Sequence, residues 1–94
     1  MSQTETPHAN TAALLRDRLQ TLSPSLLEIH DDSHLHAGHA GAREGAHFRI
    51  TVVSAQFSGQ NTVARHRQVF AAVGDLMRGK IHALAISAKT PEEV

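Results

Sequence analysis

The chain has 94 residues, enough for one small domain. Nine basic residues balance nine acidic ones, which argues against a dedicated nucleic-acid binder, since such domains carry a basic excess. Eight histidines stand beside no cysteine, so disulfides are excluded and any iron–sulfur chemistry must take thiolate from another molecule.

A domain of this size buries only about 60–65% of its unfolded surface. With three phenylalanines and no tryptophan or tyrosine, its core must be aliphatic. No stretch reaches the roughly 20 apolar residues that span a bilayer. Residues 1–10 are polar and lack an apolar signal region. The composition predicts a cytoplasmic protein with no membrane contact.

In chain order, residues 1–10 read as a disordered tail and residues 11–92 as one domain. Asn10 or Thr11 can cap a first helix, along which Ala12, Leu15, Leu19 and Leu22 recur at helical spacing. Ser23-Pro24 ends it. Residues 26–30 predict a short strand, with Leu27 and Ile29 on one face and Leu26, Glu28 and His30 on the other. A histidine- and glycine-rich loop follows, expected to be mobile. Residues 47–53 form a second strand, with Phe48, Ile50 and Val52 sharing a face. A turn at Phe57-Ser58-Gly59 precedes a helix over 62–78, whose stripe is Val69, Phe70, Val73, Leu76 and Met77. Gly79 sits where its C-terminus is expected. Residues 81–88 are a continuous apolar run that reads as a buried strand. A strand–helix–strand unit implies a right-handed crossover, so the last strand should run parallel to the second. The expected fold is α+β: a three-stranded mixed sheet with helices packed on one face.

Several residues could carry chemistry. His34, His36 and His39 cluster in the flexible loop, a composition that binds zinc, copper, nickel or iron, although the spacing of a preformed four-ligand zinc site is missing. The bland reading is a solvated polar loop. His82 opens the last strand in phase with Leu84 and Ile86, and on spacing alone it is a partly buried strand-end histidine. A ligand role requires it to emerge at the sheet edge near the loop. Arg65-His66-Arg67 starts the long helix, where phosphate is attracted by unpaired amides and the macrodipole. A solvated helix face is the simpler account. No nucleophile elbow and no glycine-rich phosphate loop is present, so an enzyme is not expected.

Taken together, Asp32-Ser33-His34-Leu35-His36, His47-Phe48-Arg49-Ile50, Val52-Val53-Ser54 with Phe57-Ser58-Gly59, Arg65-His66-Arg67-Gln68-Val69, Ile81-His82-Ala83-Leu84-Ala85-Ile86 and Thr90-Pro91 resemble the BolA family, over nearly the whole chain. The resemblance implies a class II KH-like fold of order αββαβ. It also implies a partnership with a monothiol glutaredoxin, in which a [2Fe–2S] cluster is shared with the glutaredoxin cysteine and glutathione. No cofactor would then be held tightly by the isolated chain. His82 matches the family's strand histidine. His36, in its Ser-x-x-His context, is the best match for the loop ligand, with His39 and His34 as alternates. The loop departs from the family pattern in length and in lacking Val-Pro. Family members are also linked to DNA binding and to control of stress response and cell shape, which would use Arg65, His66 and Arg67. The Gly-x-x-Gly loop of KH domains is not kept, since Gly59-Gln60-Asn61-Thr62 has only its first glycine.

Overall fold

The computed structural model describes residues 9–33 and 46–94. The expected tail falls largely on residues 1–8, outside the described residues, and the first helix already includes Ala9 and Asn10. That helix, α1 (Ala9–Leu19), buries Leu15 and Leu19, four residues apart on one face. A 3-10 turn at Gln20–Leu22 adds Leu22 to the same cluster. Ser23 closes it in the left-handed region at φ 49°, its N–H bonded to Gln20 O at 2.9 Å, and Pro24 prevents continuation.

Strand β1 (Leu26–Asp31) pairs antiparallel with β2 (Ala46–Val53), and β2 pairs in parallel with β3 (Ile81–Lys89), giving the order β1-β2-β3. Central strand β2 alternates as its sequence predicts, with Phe48, Ile50 and Val52 buried against the helices. Leu27 and Ile29 of β1 join that side. On the opposite face Glu28, His30, Arg49, Ala83 and Ala85 are exposed, while His47, Thr51 and Ser87 are half-buried.

The second helix, α2 (Thr62–Val73), is capped by the Asn61 side chain, which accepts from Ala64 N at 2.9 Å. Its core face is Val69 and Val73, continued by Leu76. Phe70, expected in this stripe, is instead 40% exposed, because it lies about 100° round the helix from Val69. The helix is also shorter than the expected 62–78. Gly74 takes a positive φ of 64°, and the chain continues as a 3-10 turn (Gly74–Arg78) that ends at Gly79. Arg18 pins this break from α1, donating to Val73 O at 2.8 Å and to Asp75 at 3.0 Å. The core thus sits in one layer between α1, α2 and the inner sheet face.

The last strand differs from expectation. Only Ile81 in β3 is fully buried. The crossover places the strand at the sheet edge, and its outer-face positions are small: Ala83, Ala85 and Ser87. An apolar run of small residues at an edge satisfies the same pattern as a buried strand, which is why the sequence alone does not separate them.

Candidate metal centre

The parallel ladder between β2 and β3 carries an irregularity at its start. Ala46 pairs with Ile81, but His47 pairs with Ala83, so His82 is an extra residue in β3. Such a bulge breaks the two-residue alternation and re-aims a side chain. Ile81 and Leu84, three apart, both pack on the core, while His82 and Ala83 between them are both exposed. The expected phase of His82 with Leu84 and Ile86 is therefore broken, and the ring leaves the core side.

Across from it stands His47, which no spacing in the sequence singled out. It opens β2 on the outer face, in phase with Arg49 and Thr51. The His47 and His82 ring centres are 5.0 Å apart, with planes inclined at 46°. A metal–nitrogen bond of about 2.1 Å, with the ring centre about 1.1 Å behind the nitrogen, sets two imidazoles on one tetrahedral ion about 5.2 Å apart. The observed separation of ring centres is close to that value. One signal could have found the pair: adjacent parallel strands begin side by side, so histidines at the starts of β2 and β3 are neighbours.

The backbone around His47 is held firmly. Its N–H donates to Ser33 Oγ at 3.0 Å, its carbonyl accepts from Asp32 N at 2.7 Å, and Ser33 N donates to Asp31 Oδ1 at 2.9 Å. His36, His39 and His34 lie outside the described residues. Both ends of the segment that carries them, Ser33 and Ala46, are anchored beside the imidazole pair. Asp32 also accepts from Arg49 Nε at 3.0 Å. A shallow depression of about 250 Å³, lined by Asp32, His47, Phe48, Ala83, Leu84 and Ala85, opens at this corner. Among the described residues no group of three or more His, Cys, Asp or Glu could hold a metal by itself. A metal at the imidazole pair would need further ligands from residues 34–45 or from another molecule.

The basic triplet is not brought together as a phosphate site. Arg65 Nε donates to Gln60 O at 2.8 Å, Nη1 to Ala88 O at 3.0 Å, and the two amino groups grip Glu93 at 2.7 and 3.0 Å. Its side chain is only 13% exposed. Arg65 therefore ties α2 to the end of β3 and to the C-terminal turn (Pro91–Glu93) and is not available to phosphate. His66 is half-buried and Arg67 is exposed. Held first by Arg65 and then by the Thr90 N–H, the Glu93 carboxyl has its pKa lowered to about 2.

The chain is thus a small α+β domain of order αββαβ, cysteine-free, with two imidazoles paired at a bulged sheet edge. The BolA-like protein family model matches residues 19–93. The chain is 45% identical over 82 residues to mouse BolA-like protein 1, covering 86% of this chain and 58% of the mouse protein. It is 41% identical over 87 residues to the Arabidopsis thaliana SufE-like protein 1, chloroplastic/mitochondrial, covering 85% of this chain and 24% of that protein. The solved BolA domain of SufE1 from Arabidopsis thaliana superposes with a TM-score of 0.78 at 41% identity, covering 89% of this chain and 95% of that domain. The chain belongs to the BolA family. It spans little more than half the length of the mouse relative. Among the described residues no helix is long and apolar enough to cross a membrane.

Proposed function

We propose that this protein is a non-enzymatic iron–sulfur adaptor that forms a heterocomplex with a monothiol glutaredoxin in the cytoplasm. The observation that carries the reading is the 5.0 Å pair of imidazoles, His47 and His82, in a chain with no thiol of its own. In this reading the glutaredoxin cysteine and glutathione supply the thiolates of a [2Fe–2S] cluster, and this chain supplies nitrogen. His82 is one ligand. His47 is the second by position, and His36 is its competitor from the connecting segment, with His39 and His34 behind it. Replacing thiolates by imidazoles removes negative charge and raises the potential of the cluster. The bulge holds His82 outward, and the Asp32 and Ser33 bonds hold His47 beside it, so little ordering is needed on assembly.

Mixing the protein with a monothiol glutaredoxin, glutathione, iron and sulfide, and recording visible circular dichroism, tests the reading. The wild type is expected to give a spectrum distinct from that of the glutaredoxin alone, and His82→Ala to abolish it. An unaltered spectrum with His82→Ala overturns the ligand assignment. The DNA-binding alternative has less support, since Arg65 is bonded internally and the remaining pair, His66 and Arg67, is weakly basic.

A further inference from the structure

The open face of the sheet continues past the imidazoles. Along β2 and β3 the register sets His47 beside Ala83, Arg49 beside Ala85 and Thr51 beside Ser87. Each two-residue step advances about 7 Å, so these rows form a lane running away from the histidine pair. A second depression of about 270 Å³ lies on it, lined by Arg49, Thr51, Ala85 and Ser87 with the backbone flank of Ile50 and Ile86, and it shares Ala85 with the first. Alanine at that row leaves a hollow directly beside the arginine.

Arg49 is the charged group of this lane. Its Nε is bonded to Asp32, and among the described residues its two terminal amino groups make no hydrogen bond. The side chain is 56% exposed. Asp32 therefore fixes the direction of the guanidinium while leaving its end-on fork open, and that fork matches a carboxylate in a bidentate geometry. The contrast with Arg65, whose donors are used within the fold, is direct.

We propose that Arg49 determines partner specificity at the adaptor interface by taking an aspartate or glutamate side chain of the thiolate-donating protein, one strand step from the imidazoles. This rests on the adaptor reading and deepens it. The carboxylate lies over the Ala85 hollow, and the Thr51 and Ser87 hydroxyls meet polar backbone of the same partner segment. Arg49 does not ligate the metal. It acts on docking, so its contribution is present before any cluster is loaded.

The test is calorimetric titration of the metal-free protein with metal-free monothiol glutaredoxin, without glutathione, at low and high salt. Arg49→Gln is expected to weaken association about tenfold at low salt and to flatten the salt dependence, as loss of an interfacial charge does. Arg49→Lys keeps the charge but not the fork and should fall between. Asp32→Asn keeps an oxygen that accepts from Arg49 Nε, so the fork stays oriented, while removing the competing negative charge, and should bind at least as well as wild type. Equal affinity and equal salt slope for Arg49→Gln overturn the proposal. So does a loss with Asp32→Asn as large as with Arg49→Gln, which would make the ion pair merely structural. An effect seen only when glutathione is added would assign the carboxylate to the tripeptide and also overturn it. If wild type binds and His82→Ala loses the loaded spectrum while Arg49→Gln docks normally, only the role of Arg49 falls. If wild type binds no glutaredoxin, the adaptor reading and this proposal fall together.

Discussion

His47→Ala is the most direct perturbation of the site, because it removes one ring of the pair and leaves the core intact. The imidazole lies on the outer face of β2, whereas Phe48, Ile50 and Val52 pack the inner face. Unfolding free energy should therefore change by less than about 1 kcal/mol. Cluster retention should change far more. Losing even an outer-shell partner of a metal costs about 10–100-fold, so losing a ligand should cost at least about 100-fold, or about 2.7 kcal/mol. The 5.0 Å separation allows both rings on one metal, so the effects of His47→Ala and His82→Ala should not add. The double variant should resemble the worse single one, with a coupling as large as the smaller single loss, about 2.7 kcal/mol. Chelator competition on the mixed complex, followed by visible circular dichroism, reads retention, and thermal melts of the same variants read the fold. Wild-type retention by His47→Ala, alongside loss by His82→Ala, would refute the pair and move the second ligand into residues 34–45. Fully additive losses would put the two rings on separate metals.

Two further outcomes concern the scaffold. Ser54 is fully buried at the end of β2, where its hydroxyl donates to Leu22 O and accepts from Gln56 N. Ser54→Ala leaves that carbonyl without its donor, so a loss of about 1–3 kcal/mol is expected in denaturant melts. A midpoint unchanged from wild type would show that the bond contributes nothing. The carboxyls of Glu93, at about 2, and of Asp75, lowered by Arg18, both have folded pKa values below their ordinary ones. Their contribution to stability is complete above the ordinary carboxylate range, about 4, and is lost as pH falls from there toward 2. Melting temperature should drop over that window, and Glu93→Gln should lessen the drop. An equal acid dependence in that variant would assign the loss to other groups.

Much of this molecule was legible from periodicity because its inner sheet face and helix stripes follow the simple rules. Leu27 and Ile29 alternate against Leu26, Glu28 and His30 as read, β2 alternates as read, and the crossover makes β3 parallel. The features that periodicity leaves open share one cause. Phe70 lies at the border of a helical stripe, and whether a border residue is covered depends on the neighbouring element. The apolar run of β3 says that the strand is uncharged, not that both its faces are packed. Arg65 carries the same charge whether it faces phosphate or Glu93, and only the path of the C-terminal turn decides. In each case the sequence holds the chemistry of the side chain, and the partner belongs to the tertiary structure.

The imidazole pair follows the same logic and shows where it can be overcome. His82 in unbroken alternation would point toward the helices with Leu84 and Ile86. The bulge that turns it outward is a mismatch between two strands, one residue on β2 against two on β3, and no single segment encodes a mismatch. Its neighbour is different in kind. A right-handed crossover returns β3 beside β2 in the same direction, so whatever opens one strand stands next to whatever opens the other. The contact between His47 and His82 is therefore a product of topology and depends on no ordering of the segment between β1 and β2. Shortening residues 34–45 should accordingly leave the wild-type signature of the mixed complex if His47 is the second ligand, and should remove it if the ligand is His36, His39 or His34.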